Sequence, residues 1–134
     1  MTNDPSPEFW RALEKLVEEN SLVIDRPRGA PHPRRPDVIY PLDYGYLAGT
    51  TAGDGQGIDV WLGRDAERRV TAIACTADVW KRDAEIKILL ACGDGEIEMI
   101  DAFLNQTIGL PCLIIKRNES RQGKRRRTMR RHRT

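Results

Sequence analysis

Between two helix-patterned stretches, glycine and proline cut the chain into short apolar runs of strand length, at 21–24, 38–40, 58–62, 70–76, 86–91 and 112–115. Runs of this size suit strands bounded by turns better than helices. The two helical stretches lie toward the ends. One covers 7–19: Ser6 is placed to cap it, and Pro7 fits the first helical position. Within it Phe9, Trp10, Leu13, Leu16 and Val17 recur on one face. The other starts with Asp94 as its cap and reaches about Gln106, with Ile97, Ile100, Phe103 and Leu104 inward. Residues 41–46 are expected as a tight aromatic turn and 50–57 as a glycine-rich loop. Five or six strands flanked by helices predict an α+β fold around a small twisted sheet or barrel.

At 134 residues the chain suits one domain. Charge divides it. Residues 116–134 carry ten Lys and Arg against one Glu, a net of +9, and the rest carries −7. This predicts a single domain over 1–117 and a disordered basic tail over 118–134. The tail has no aromatic residue, so any nucleic acid it attracts is held without sequence preference. The acidic body suits metal cations better than nucleic acid. No apolar run nears the ~20 residues that cross a bilayer, and the first residues lack the pattern of a secretion signal. Three cysteines at irregular spacing, each among apolar neighbours, suit a reducing compartment. The expectation is a cytoplasmic protein without a membrane partner.

Residues 26–36 hold four prolines and four arginines, and read either as a solvated basic loop or as a stiff loop aiming guanidinium groups at one place. Asp54 sits in the glycine loop, and Asp59 sits between Ile58 and Val60 in an apolar run. A bare buried carboxylate is costly, so Asp59 either faces solvent or is compensated by something positive. A hard divalent cation does this well. Asp83, Glu85 and Lys87 alternate by two, so an extended strand puts all three on one face. Alone, such a face is commonly just solvated. Beside Asp54, Asp59 and an arginine loop, it suggests a metal and phosphate site.

Tyr40-Pro41-Leu42-Asp43-Tyr44-Gly45-Tyr46, followed by Asp54-Gly55-Gln56-Gly57-Ile58-Asp59-Val60, resembles the signature of the soluble family I inorganic pyrophosphatases. There the pattern runs Tyr-Pro-x-Asn-Tyr-Gly-Tyr and then Asp-Gly-Asp-Pro-x-Asp-x. The resemblance extends over residues 22–115. It implies a five-stranded OB-like twisted β-barrel with an N-terminal helix and a late C-terminal helix. It also implies hydrolysis of inorganic pyrophosphate to two phosphates, dependent on Mg²⁺ as cofactor, and assembly into a homo-oligomer. Carried over by position, Asp54, Asp59, Glu85, Asp83 and Asp25 are the metal ligands. Asp54, Asp59 and Tyr44 serve catalysis, and Arg28, Arg34 and Lys87 bind substrate; Arg35 is the alternative to Arg34.

Three departures bear on rate. Gln56 stands where the family has its middle aspartate, the base, and a glutamine takes up no proton at neutral pH. Asp43 replaces the usual asparagine. The late tyrosine-lysine clamp has no counterpart near Gln106 and Thr107. The expected outcome is hydrolysis at a reduced rate, and the alternative is a module that keeps metal and phosphate binding but has lost turnover. Tyr40 and Tyr46 are assigned to structure, His32 to no role, and the three tryptophans to packing or oligomer contacts.

Overall fold

The computed structural model describes residues 5–118. Most of the expected basic tail, from 119 onward, lies outside the described residues.

The first helix, α1 (Pro7–Glu19), starts at Ser6, whose hydroxyl accepts from the Phe9 amide at 3.3 Å. Losing such a cap costs about 1 kcal/mol. Trp10 and Leu13 are buried, and Phe9, Leu16 and Val17 pack partly buried beside them. Six strands follow: β1 (Leu22–Arg26), β2 (Asp43–Leu47), β3 (Ile58–Leu62), β4 (Val70–Asp78), β5 (Asp83–Leu90) and β6 (Cys112–Lys116). A second helix, α2 (Asp94–Ala102), lies between β5 and β6 and ends in a π-helical turn over Phe103–Thr107. Among the described residues, no helix is long and apolar enough to cross a membrane.

The strands form one mixed sheet in the order β1-β2-β3-β5-β4-β6. All neighbours are antiparallel except β3 and β5, where Val60 pairs with Ile88 and Leu62 with Leu90. The architecture is α+β, but the expected five-stranded closed barrel is corrected to an open sheet of six, with β1 and β6 as its edges. The physical reason lies in the central strands. Ile88, Leu89 and Leu90 are all fully buried, which requires cover on both faces. Val60, Ile73, Ile88 and Leu90 meet α1 on one face. Trp61, Ala72, Ala74 and Leu89 meet Ile97, Ile100, Phe103 and Leu104 on the other.

Three local expectations also change. Residues 43–47 are a strand, not a turn, because Gly45 lets β1 and β2 come together. A Cβ there would sit 1.8 Å from the Val23 carbonyl oxygen. Residues 38–40 make only an isolated bridge, Pro31 with Ile39, since the prolines supply no amide for a ladder. The N-cap of α2 is Gly93 rather than Asp94. Glu96 reaches back instead, accepting from the amides of Gly93 at 3.0 Å and Arg64 at 3.1 Å.

Candidate metal and phosphate site

Parallel pairing of β3 with β5 sets Asp59 beside Lys87, and β2 adds Tyr44 from the next position across the sheet. All three lie on the α2 side, below the Trp61–Phe103 cluster. The Lys87 side chain is 6% exposed. Its Nζ donates to Asp59 Oδ2 at 2.8 Å, Tyr44 Oη at 3.0 Å and Glu85 Oε1 at 3.1 Å. An ammonium has three donors, and here all three are engaged. So the positive group that compensates Asp59 is Lys87.

The electrostatics follow from that arrangement. Burial works against the Lys87 ammonium, yet the Tyr44 oxygen and Asp59 outweigh it and raise its pKa. The Tyr44 hydroxyl is raised well above the ordinary tyrosine value, mainly by burial, with Asp59 adding to it. Glu85 is raised too: burial is the largest cause, and the nearby Asp59 and Asp54 carboxylates add to it against the pull of Lys87.

Beside this group lies an acidic one. Asp54, Asp83 and Glu85 each offer a carboxylate oxygen, and the three lie within 4.8 Å of one another. Strand alternation supplies Asp83 and Glu85, on the same face as Lys87. The glycine loop supplies Asp54. That loop folds tightly: Ala52 donates to the Gln56 carbonyl, Gly55 to the Ala52 carbonyl and the Gln56 amide to Asp54 Oδ1 at 2.9 Å. Gly55 takes φ +84°, where a side chain would be strained. Thr50 ties the loop base, donating to the Leu47 carbonyl and accepting from the Ile58 amide. The donor set is all carboxylate oxygen, which suits a hard cation. Octahedral Mg²⁺ sets cis oxygens ~3.0 Å apart and trans oxygens ~4.2 Å apart, so the three carboxylates would have to draw together to share one ion.

The remaining candidates lie elsewhere. Asp59 is on Lys87 and outside the three-carboxylate cluster. Asp25 is exposed at a bulge in β1. Arg28 is exposed, and its amide donates to Asp43 Oδ1 at 2.8 Å, which occupies that carboxylate. Arg34 is exposed, its amide donating to His32 Nδ1 at 3.1 Å. Arg35 binds the Thr107 and Ile108 carbonyls where the α2 turn ends. Gln56 is exposed.

Arg26 is the residue that sequence reasoning missed. The β1 bulge pairs it with Tyr44, and its guanidinium donates to Tyr40 Oη. It lies 5.4 Å from the Tyr40 ring centroid and 6.0 Å from that of Tyr44. His32 likewise has a place, stacked on Tyr40 with ring centroids 6.1 Å apart.

No protein-family profile matches the chain, and no curated protein matches it in sequence. Among solved structures, the inorganic pyrophosphatase from Thermus thermophilus is similar, at a TM-score of 0.47 and 20% identity. The alignment covers 76% of this chain and 82% of that chain.

Proposed function

We propose that this protein hydrolyses inorganic pyrophosphate or a closely related phosphoanhydride with Mg²⁺, at a reduced rate. The observation that carries the proposal is the direct contact between two groups of side chains. The Asp54–Asp83–Glu85 cluster shares Glu85 with the Lys87–Asp59–Tyr44 cluster. The first group suits a cation, and the second brings a fixed positive charge beside it. The order of these residues along the chain is that of the pyrophosphatase-like signature.

Asp54, Asp83 and Glu85 would hold Mg²⁺, which lowers the pKa of a bound water and offsets phosphate charge. Lys87 holds Asp59 and Glu85 in place. A phosphate oxygen reaches its Nζ only by displacing one of three acceptors, and Tyr44 Oη is the neutral one. Tyr44 stays protonated at neutral pH, so it can donate to that oxygen once displaced. Gln56 lies exposed two residues after Asp54 and cannot take up the proton that hydrolysis releases. This observation favours a second reading, in which metal and phosphate bind without turnover.

Phosphate release from pyrophosphate, with and without Mg²⁺, separates the readings when paired with calorimetric Mg²⁺ titration. Release that depends on Mg²⁺ and is lost in Glu85→Gln supports hydrolysis. Binding without release supports the module. No Mg²⁺ binding in the wild type refutes both.

A further inference from the structure

Two loops from the same end of the sheet meet at the carboxylate cluster. Asp83 is the first residue of β5, and it closes a hairpin by pairing with Asp78 at the end of β4. Residues 79–82, Val-Trp-Lys-Arg, form the turn between them, and the Lys81 amide donates to Asp78 Oδ1 at 3.1 Å. The glycine loop that carries Asp54 runs alongside: a Cβ on Gly53 would meet the Ala84 carbonyl oxygen at 3.9 Å. A ligand held by Asp54, Asp83 and Glu85 therefore has the 79–82 turn at its border.

The fold makes no use of that turn's side chains. Trp80 is 97% exposed, whereas Trp10 and Trp61 are buried. Lys81 and Arg82 are exposed as well. Among the described residues, no ring or cation meets the Trp80 indole, and no acid pairs with the Lys81 or Arg82 side chain. Arg82 also takes φ +56°, a region where glycine or asparagine sits more easily, so the turn does not itself call for an arginine. Inorganic pyrophosphate is phosphate oxygen all over its surface and gains nothing from an indole. An indole followed by two cations, at the border of a cation and phosphate site, matches a molecule with one anionic end and one aromatic end.

We propose that the phosphate compound recognised here is a nucleoside 5′-diphosphate or triphosphate, its base stacked on Trp80 and its outer phosphate at the metal and phosphate site. This rests on Asp54, Asp83, Glu85 and Lys87 acting as the site proposed above. Trp80 stands three residues before Asp83, so their Cα atoms are at most ~10 Å apart. With the length of the indole added, that is within the span of a nucleotide from base to outer phosphate. Lys81 and Arg82 lie along this span, where the inner phosphate passes. Stacking accepts any base, because every base has a π-face. An anionic lipid surface suits the turn less well. Val79 and Trp80 are few apolar side chains for insertion, and the carboxylates of Asp54, Asp78 and Asp83 at the foot of the turn oppose anionic headgroups.

The full chain, its Trp80→Ala variant and its Trp80→Phe variant are titrated by calorimetry with Mg²⁺ present. The probes are the methylene-bridged analogues of ADP and of pyrophosphate, which resist hydrolysis. Tryptophan fluorescence is followed in parallel, and Trp80 is the exposed reporter. The ADP analogue is expected to quench the wild-type emission. Trp80→Ala should lower the ratio of ADP-analogue affinity to pyrophosphate-analogue affinity by about tenfold. Trp80→Phe keeps an aromatic face and should recover most of that ratio. Residues 119–134 are the same in all three proteins, so nucleotide held by their basic side chains does not produce the difference. Trp80 is exposed, so circular dichroism of the variants stays that of the wild type. Binding of the pyrophosphate analogue with a ratio that Trp80→Ala leaves unchanged overturns the nucleotide assignment and leaves the metal and phosphate site standing. Binding of neither analogue overturns both. A Trp80 emission shift on phosphatidylserine-containing vesicles, without quenching by the ADP analogue, overturns the nucleotide assignment in favour of a lipid surface.

Discussion

Lys87→Met tests whether one ammonium holds the site together. The methionine keeps the length of the stem and deletes the charge. Asp59 and Glu85 then keep their carboxylates, 26% and 14% exposed, with no cation between them. Removing one partner of a buried pair costs ~3–5 kcal/mol, and the partial exposure of both acids puts this case near the lower end, ~3 kcal/mol. For a chain of this size that lowers Tm by about 10 °C. The loss depends on pH. The Lys87 pKa is raised in the fold, so its contribution is complete at neutral pH and fades only in strongly alkaline solution. Glu85 is raised already, so its ionised form opposes folding and that opposition eases as pH falls. The gap between wild type and variant therefore narrows on acidification. Removing the ammonium also removes a repulsion on any cation at Asp54, Asp83 and Glu85. Mg²⁺ should stabilise the variant more than the wild type, following the dependence of stability on bound ligand. Urea unfolding at pH 7 and pH 5, each with Mg²⁺ and with EDTA, measures all of this. A stability change below ~0.5 kcal/mol at pH 7, in the range of an ordinary surface substitution, would refute the reasoning. So would a large change indifferent to both pH and Mg²⁺.

Asp83→Asn should weaken Mg²⁺ binding in calorimetry by about tenfold or more, while stability in EDTA stays within ~0.5 kcal/mol, because Asp83 is partly exposed. Gln56→Asp should raise the rate of phosphate release by about a hundredfold or more if a missing base limits turnover, and an unchanged rate would remove that explanation. The His32 pKa is lowered by burial and then by Arg26, Arg35 and Arg34. The unfolded chain thus binds more protons below about pH 6.5, and stability is lost as pH falls through the lowered pKa. His32→Gln should flatten that part of the pH profile in urea unfolding; profiles of equal slope would refute the assignment. Gly45→Ala puts a Cβ against the Val23 carbonyl and should cost ~3 kcal/mol or more in the same assay, since the obstacle is backbone.

What was legible in the sequence was local. The Ser6 cap, Pro7 and the spacing of Trp10 and Leu13 located α1 to the residue, and alternation put Asp83, Glu85 and Lys87 on one face. What was hidden depends on pairing between distant segments. Asp59 and Lys87 stand 28 residues apart, and their contact follows from parallel pairing of β3 with β5. A run such as Ile58–Leu62 does not say which strand it will join. The open sheet was hidden for a similar reason: closure depends on the edges, which no single run describes. Arg26 was passed over because a bulge breaks the alternation that would have placed it. Gly45 beside aromatic residues suggested a turn, whereas its use is to let a neighbouring strand come close.

The identity of the group compensating Asp59 changes what the site can do. A buried carboxylate allowed two readings, solvent exposure or a positive neighbour, and a metal ion was one such neighbour. The neighbour is an ammonium, and that has a consequence for charge. Lys87 engages Asp59 Oδ2 and Glu85 Oε1, and the Gln56 amide engages Asp54 Oδ1. The oxygens still open to a cation are thus concentrated at the Asp83 end of β5, on one side of Lys87. A second cation between Asp59 and Glu85 would have to displace the ammonium that makes both carboxylates tolerable in a buried position. The arrangement therefore supports one divalent ion with a fixed positive charge at its flank. Lys87→Met is the variant that would open the second position, so Mg²⁺ stoichiometry rising above that of the wild type is its calorimetric signature. An equal stoichiometry in both proteins would show that Lys87 does not occupy a cation's place.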